Sequence, residues 1–277
     1  LRLKALGRIG SDALGDFILD NLMRFPNINL DGVIKEGMTS FTAVMADEKT
    51  KTRTFYQYRG ANAHFNQTDI DWQELDVSFL HIGYILLLDA LDEPDDVYGT
   101  KMAGLLHQAQ THGIKTSIDV VTEAGDRFTR IVPPALKYTD YCVINEIEAQ
   151  AVTGVPLRDA NDELLKQNMP AALARLKEMG VSTWSCIHSV EGGFGLDENN
   201  TYCELESLRL PPGYIAGTVG AGDAFCSGII YAAWQKKSLY EALELGTAAA
   251  ACSLSEVDAT AGLRSADEVM KLYRRLR

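Results

Sequence analysis

The sequence predicts an α/β fold of three layers, in which helices cover both faces of a mostly parallel central sheet. Three observations support this fold class. From Val77 onwards, apolar strand patterns alternate with amphipathic helix patterns, an order typical of parallel sheets buried on both faces. The chain has 277 residues, of which 46% are hydrophobic, so it can bury a large core. No internal repeat or composition break marks an interdomain linker.

The first predicted elements are a strand in LRLKALGRIG and a helix in SDALGDFILDNL. Ser11 or Asp12 stands directly before the apolar helix pattern, and both residue types are favoured helix N-caps. Because a domain rarely begins in the middle of a strand pattern, as this chain does at Leu1, we expect further residues upstream.

Residues 32–60 form a separate unit in the prediction. SFTAVMAD and TRTFYQYRG alternate polar and apolar residues, and the polar segment DEKTK joins them. This pattern predicts a β-hairpin with one solvated face. A lone hairpin is only marginally stable, so we expect it to lie on a domain edge, a partner or a ligand. The main domain then comprises residues 1–31 and 61–277.

The rest of the chain alternates between strands and helices. Strands are predicted in VSFLHIGYILL, IKTSIDVV, TDYCVIN and VSTWSCIHSV, which are short apolar runs. Helices are predicted in DDVYGTKMAGLLHQAQTHG, FTRIVPPALKY, EIEAQAVTG and DELLKQNMPAALARLKEMG, and again from about residues 223 and 240. GGFGLDENNTYCELESL places turn residues between two strand patterns and predicts a hairpin-like passage.

The charge and cysteine content exclude several classes of protein. With 26 basic and 38 acidic residues the net charge is -12, and no basic stripe is present, so a nucleic-acid partner is not expected. The five cysteines have no CxxC spacing, which favours reduced thiols in the cytoplasm over a metal or disulfide framework. No run of 18 apolar residues and no signal peptide is present, so we expect no membrane partner.

The segment GTVGAGDAFCSGIIYAAW, residues 217–234, holds the first candidate site. Gly220 and Gly222 permit a close backbone turn, and the helix that follows offers free N–H groups and the positive end of its dipole to an anion such as phosphate. Asp223 at this point has two interpretations. It is either a base for a hydroxyl that attacks the phosphate, or a helix N-cap that contributes about 1 kcal/mol to stability.

VINEIEAQAVTG holds the second candidate site. Asn145 and Glu148 are three residues apart at a helix start and share a face, whereas Glu146 points elsewhere. Amide and carboxylate oxygens suit Mg²⁺. The same two residues equally predict a capping box, with Asn145 as the N-cap and Glu148 at the third helical position.

Other motifs are weaker. The histidines have no ligand spacing, and His107 and His112 fit a helix surface. The run AAAACS at 248–253 permits close helix packing or one wall of a slot for a purine base. Neither GxxxxGK[ST] nor GxGxxG after a strand occurs, so a Walker loop and a dinucleotide fold are not supported.

Taken together, these motifs resemble the PfkB family of carbohydrate kinases, which has the ribokinase-like fold. The family signature D-T-x-G-A-G-D corresponds to GTVGAGD, the family motif N-x-x-E to NEIE, and the early G-x-x-G-x-D-x-x-G to GRIGSDALG. The hairpin at 32–60 falls where the family has its β-lid. The resemblance runs in order over essentially the whole chain, and the C-terminal signature is specific.

The resemblance implies roles for the residues that match. Asp223 would deprotonate the acceptor hydroxyl, and the backbone N–H groups of Gly220, Ala221 and Gly222 would form an anion hole. Asn145 and Glu148 would position Mg²⁺ through its waters.

It also implies a substrate side and a nucleotide side. Asp12 and the lid residues Thr39 and Phe41 would face the substrate. Ser189 and Gly192, which lie in the segment WSCIHSVEGG, would border ATP together with the small-residue run around Ala249.

The chain departs from the family pattern at four places. Gly217 replaces the first Asp of the signature, which helps to hold a monovalent cation in the family, so a K⁺ requirement is in question. Ser189 stands where a Gly usually contacts nucleotide phosphates. The family's D-x-N-x-R is present only as Asp119 followed by two valines. The N-terminal G-G-x-x-x-N region, which supplies the first strand and several sugar contacts in the family, is absent.

The predicted activity is transfer of the γ-phosphoryl group of ATP to a hydroxyl of a small sugar or sugar derivative. Two alternatives are a nucleoside kinase of the adenosine kinase type and a non-catalytic sensor of sugar or nucleotide. The lid is short and carries Phe41, Phe55, Tyr56 and Tyr58, whose apolar faces favour a homodimer that pairs through the lid.

Overall fold

The computed structural model describes residues 1–46, 53–122 and 125–277. At its centre is a six-stranded sheet, made of β5 (Phe79–Ile85), β8 (Lys115–Val120), β9 (Tyr141–Asn145), β10 (Trp184–His188), β11 (Gly192–Leu196) and β12 (Tyr202–Glu206). The strand order is β12-β11-β10-β9-β8-β5. The pairs from β5 to β10 are parallel, whereas β11 and β12 are antiparallel to their neighbours. The predicted mostly parallel α/β sheet is therefore confirmed.

Helices cover both faces of this sheet. Val143 and Cys186 point into a core built with the last three helices, whereas Ile144 and Ile187 point into a second core on the other face. Neighbouring residues of a strand thus enter opposite layers, as the pleat requires. The face of Val143 carries α7 (Ala221–Trp234), α8 (Leu239–Ser253) and α9 (Ala266–Leu276). The face of Ile144 carries α2 (Asp89–Asp92), α3 (Lys101–Thr111), α4 (Arg127–Leu136), α5 (Glu146–Thr153) and α6 (Met169–Glu178).

A smaller unit at the start of the chain stands beside the main sheet. Its strands β1 (Leu3–Ile9) and β2 (Ile28–Lys35) pair in parallel, and α1 (Ala13–Leu22) connects them. Arg8 fixes β1 to the main body through two hydrogen bonds to Asp69, of 2.8 and 2.6 Å. The strand β2 was not predicted, because its Asp-Gly step reads as a turn.

The predicted hairpin is present as the strands β3 (Phe41–Ala46) and β4 (Arg53–Tyr58), which pair antiparallel with Phe41 opposite Tyr58. Its connection lies at residues 47–52, outside the described residues. The predicted lid segment also includes residues 32–35, which belong to β2. We keep the name lid for β3 and β4 together.

Two predicted helices start later than expected. The helix predicted from Asp95 begins only at Lys101. The Asp95 carboxylate accepts hydrogen bonds from the N–H groups of Val97 and Tyr98, and this stabilises a turn before the helix. A short hairpin, β6 (Pro94–Asp95) and β7 (Gly99–Thr100), occupies this stretch. The pattern from Asp162 gives helix only from Met169, with Pro170 in the first turn, where proline is well tolerated.

Within the described ranges, no helix combines the length and hydropathy of a bilayer-spanning segment.

Candidate active site

The site lies at the carboxyl edge of the parallel strands, where the start of α7 meets the ends of β5, β8, β9 and β10. Gly220 is the N-cap of α7 and has a φ of 79°, in the left-handed region that favours glycine. A Cβ on Gly222 would lie 3.0 Å from His188 Cε1, so glycine allows the helix to start directly above β10. The N–H groups of this first turn have no acceptor within the helix and face the site.

Asp223 is exposed in the first turn of α7. The N-cap of this helix is Gly220, and no side chain caps it. The capping interpretation of Asp223 is therefore excluded by the geometry. Its carboxylate instead accepts a hydrogen bond of 2.5 Å from the Tyr84 hydroxyl, at the end of β5.

Tyr84 and His188 were not found from the sequence. The sequence around Tyr84 predicts only a buried strand, and the spacing of the histidines indicates no ligand set. His188 lies under the start of α7 with its ring 5.1 Å from that of Phe225, and burial lowers its pKa to about 4. A usable signal was the position of both residues at the carboxyl end of a predicted parallel strand, where ligands bind in open α/β sheets.

Asn145 and Glu148 form the capping box that the sequence allowed. Asn145 Oδ1 accepts the Glu148 N–H at 2.8 Å, and Glu148 Oε2 accepts the Asn145 N–H at 3.0 Å. Thr122 donates to Glu148 Oε1 at 2.8 Å and accepts from Asn145 Nδ2. As expected, Glu146 points elsewhere, because it pairs with Arg158. The cap fixes Glu148 at the edge of the site.

Three carboxyl groups, those of Asp119, Glu148 and Asp223, cluster around this edge. Burial raises the pKa of Glu148 to about 7, and burial together with the charge of Glu148 raises the pKa of Asp119 to about 8. Asp223 adds to the repulsion on Asp119. Such an arrangement favours a bound cation. Among the residues with described positions, no three His, Cys, Asp or Glu side chains converge to hold a metal directly, so a cation here would use water or ligand oxygens as well.

An apolar groove of about 930 Å³ leads to Asp223 and Asp119. It runs between β1 and the outer edge of β5 on one side and the helices α7, α8 and α9 on the other. Ala249, predicted at the nucleotide, lies in α8 and forms part of its wall.

Ser189 and Gly192 occupy the turn between β10 and β11. Ser189 follows His188, which pairs with Asn145, so Ser189 lies at the same sheet edge as the capping box. Its hydroxyl accepts the Glu191 N–H at 3.2 Å. Gly192 is buried at the start of β11.

The residues predicted at the substrate contact one another. The Asp12 carboxylate caps α1 by accepting the Gly15 N–H, and it also accepts the N–H and hydroxyl groups of Thr39. Thr39 is buried, and Phe41 is exposed at the start of the lid. The structure therefore joins Asp12 and Thr39 at the base of the lid, and their contact with a substrate stays a prediction.

Comparison with known proteins identifies one family over nearly the whole chain. The sequence profile described as pfkB family carbohydrate kinase matches residues 1–266. A 5-dehydro-2-deoxygluconokinase of Listeria innocua is 23% identical over 282 residues, covering 98% of this chain and 81% of the relative. A ribokinase of Haemophilus influenzae is 24% identical over 268 residues, covering 95% of this chain and 78% of the relative.

Solved structures show the same fold. The ribokinase of Arabidopsis thaliana, solved with ribose and ATP, has a TM-score of 0.78 at 20% identity and covers 99% of this chain and 82% of its own. An E. coli chain solved with ATP and Mg²⁺ has a TM-score of 0.77 at 16% identity, covering 99% of this chain and 84% of its own. The family profile spans nearly the full length, and the fold is ribokinase-like, so the chain belongs to the pfkB family of carbohydrate kinases.

Proposed function

We propose that the protein transfers the γ-phosphoryl group of ATP to a hydroxyl of a small sugar or sugar derivative. One observation carries this proposal. An exposed carboxylate, Asp223, stands in the first turn of a helix whose cap, Gly220, leaves the helix N–H groups open to an anion. A carboxylate beside an anion site weakens phosphate binding, but it suits a site that must remove a proton during phosphoryl transfer.

In the proposed reaction, Asp223 takes the proton of the acceptor hydroxyl, and the acceptor oxygen forms a bond to the γ-phosphorus. The bond from that phosphorus to the bridging oxygen breaks, and ADP leaves. The N–H groups of Gly220, Ala221 and Gly222 stabilise the charge on the phosphoryl oxygens. Such preorganised donors typically contribute about 10²- to 10³-fold to kcat.

The acidic edge of the site fits a magnesium ion. Asn145 and Glu148 would hold it through water, and the carboxyl group of Asp119 lies near enough to Glu148 for the two charges to interact. When bound, Mg²⁺ supplies positive charge that neutralises the phosphate oxygens. Because Gly217 has no carboxylate, we assign no monovalent cation to the reaction.

We assign Ser189 and Gly192 to the nucleotide side, since they lie in the turn between β10 and β11 at this edge. Ala249 is assigned there because it lines the groove that leads to Asp223. Asp12, Thr39 and Phe41 belong to the acceptor side, where the lid would close over the sugar and exclude water. A sugar acceptor is favoured over a nucleoside because the curated relatives reported above act on sugars or sugar acids by name. A cytoplasmic location stays a prediction from the sequence.

The lid supports a further part of the proposal, a homodimer. Among the described side chains of its two strands, five large apolar ones are exposed: Phe41, Val44, Met45, Tyr56 and Tyr58. The rings of Phe41 and Tyr58 lie 5.6 Å apart on one face. The strand alternation places Met45 and Tyr56 on the same face as these rings, and Val44 on the opposite face. A second lid is the partner that would cover the face of Phe41 with matching apolar groups. The side chain of Phe55, also predicted there, lies outside the described residues.

The test is ADP formation with a panel of acceptors: ribose, fructose, 5-dehydro-2-deoxygluconate, 2-dehydro-3-deoxygluconate, tagatose 6-phosphate, inositol and adenosine. Asp223→Asn should lower kcat for the active acceptor by about 10²- to 10⁴-fold, with unchanged ATP affinity. Asp267→Asn is the matched control, since Asp267 also lies in a first helical turn, in α9, away from the site.

Each outcome has a distinct meaning. Turnover that persists in Asp223→Asn would reject the base assignment. Turnover with adenosine but with no sugar would favour the nucleoside kinase. ATP or sugar binding without turnover across the panel would favour the sensor.

A further inference from the structure

Tyr84 makes a contact with the proposed base that the reaction above does not use. Its hydroxyl donates to Asp223 Oδ1 at 2.5 Å, across 139 residues of sequence. In the described part of the chain, this is the one hydrogen bond to the Asp223 side chain. Among the described residues, none forms a hydrogen bond with Oδ2. A residue that binds one oxygen of a base and leaves the other open controls where the base points.

The backbone of β5 is distorted where it delivers this side chain. Ile82 pairs with Ile118 and Ile85 pairs with Val120, so β5 has one residue more than β8 over this stretch. Tyr84 sits in this bulge with a φ of 62°, a left-handed conformation that costs free energy for a bulky residue. Bulges beside active sites re-aim side chains. Here the bulge turns Tyr84 toward α7.

The helix that carries Asp223 does not orient its carboxylate. Gly220 caps α7 without a side-chain hydrogen bond, and Asp223 is exposed. Without Tyr84, the carboxylate would be free to rotate among its rotamers. The orientation of the base thus depends on a residue from another element.

The tyrosine is also a dependable donor. Partial burial, the hydrogen bond to Asp223 and the nearby charges of Asp223, Asp119 and Glu148 all raise its pKa above the ordinary value. The hydroxyl therefore keeps its proton throughout the neutral range. It donates to Asp223 whenever that carboxylate is ionised.

We propose that Tyr84 is a positioning residue for phosphoryl transfer, which holds Asp223 Oδ1 so that Oδ2 meets the acceptor hydroxyl. This inference rests on the proposed function. It differs from a simple contact with the substrate, because Tyr84 acts through Asp223.

The test is Tyr84→Phe in the 277-residue chain, with steady-state kinetics on the active acceptor. We expect kcat to fall by about 10- to 100-fold, as for loss of a hydrogen bond to a charged group, while the acceptor KM changes by less than about 3-fold. Tyr202→Phe is the matched control, since Tyr202 donates to the Glu204 carboxylate at 2.8 Å on β12. Phenylalanine keeps the ring, and Tyr84 is 40% exposed, so the fold is retained.

A double-variant cycle separates positioning from a general structural effect. In the Asp223→Asn background, Tyr84→Phe should cost little more, because both changes remove the same oriented base. An equal loss in both backgrounds would overturn the proposal. An unchanged kcat in Tyr84→Phe would overturn it as well, and a lower acceptor KM with unchanged or higher kcat would show instead that Tyr84 competes with the acceptor.

Failure of the proposed function has a different signature. Wild-type protein without turnover on any acceptor rejects the kinase assignment and this inference together. Wild-type turnover with an unaffected Tyr84→Phe variant rejects this inference alone.

Discussion

Asp12 and Thr39 tie the start of α1 to the base of the lid. The Asp12 carboxylate accepts the Thr39 N–H at 2.8 Å and the Thr39 hydroxyl at 2.6 Å. Chiefly through the hydroxyl, and then the N–H, Thr39 lowers the pKa of Asp12 to about 2. The carboxylate therefore stays ionised and bound to Thr39 at any pH above about 4, and the lid keeps a fixed base.

This tie predicts the effect of changing Thr39, which is buried. Thr39 Oγ1 also accepts the Gly10 N–H at 2.9 Å. Thr39→Val should lower the free energy of unfolding by about 1 to 3 kcal/mol, because the Gly10 N–H loses its buried acceptor. Thr39→Ser keeps the hydroxyl and should lose much less. Urea denaturation of the three proteins checks this, and equal losses for Val and Ser would contradict it.

Gly222 predicts a steric effect at the anion site. In Gly222→Ala, the new Cβ would lie 3.0 Å from His188 Cε1, so the start of α7 or His188 must shift. We expect a loss of about 1 to 3 kcal/mol in stability and about a 10- to 100-fold lower kcat, because the N–H groups move from the phosphoryl. In the double variant with His188→Ala, the loss of stability should be smaller than the sum of the losses of the two single variants. Strict additivity would show that His188 is not the obstacle.

The raised pKa values predict a pH dependence of stability. The folded protein keeps protons on Glu148 up to about pH 7 and on Asp119 up to about pH 8, whereas the unfolded chain loses them near pH 4. More protons are then bound in the folded state, so stability falls as pH rises. Desolvation lowers the pKa of His81 and His188 to about 4. These two histidines therefore make stability rise with pH, but only up to about pH 6.5, where the unfolded chain loses the same protons.

The clearest window therefore lies between about pH 6.5 and 8. There the free energy of unfolding should fall by on the order of 1 kcal/mol per pH unit and then level off. Asp119→Asn should flatten most of this slope. Denaturation curves at several pH values provide the measurement, and an equally steep slope in the variant would contradict the assignment to Asp119.

The exposed lid residues predict self-association. Light scattering should show a dimer for the wild type, because a paired lid would cover the exposed apolar side chains on the face of Phe41. Met45→Glu, at a position 62% exposed, should shift the protein toward the monomer, since two symmetry-related charges would meet in a paired lid. Val97→Glu is the control, at an apolar position 78% exposed outside the lid. A wild-type monomer at all concentrations would reject the dimer.

The sequence alone predicted the layers, the lid hairpin and the two turns at the heart of the site. These features depend on local patterns: strand and helix periodicity, and the glycines around Asp223. The strand β2 was missed because its Asp-Gly step resembles a turn, and only pairing with β1 makes it a strand. Tertiary pairing outweighed local propensity there.

The partner of Asp223 was not predictable for a different reason. The contact with Tyr84 depends on which strands are neighbours and on a bulge in β5. Neither follows from the residues near Tyr84, since the segment HIGYILL reads as an ordinary apolar strand. The orientation of a side chain at the end of a distorted strand is set by the assembled sheet.

The long crossovers between parallel strands also determine when the site forms during folding. Tyr84, Asn145 and Asp223 come from separate segments, and α7 completes the group only after packing on β9 through Val143. Contacts this distant in sequence form slowly. During synthesis, β5, β8 and β9 leave the ribosome long before the helix that carries Asp223. Recovered helix content in a refolding experiment therefore reports local order, whereas recovered turnover reports completion of the native topology.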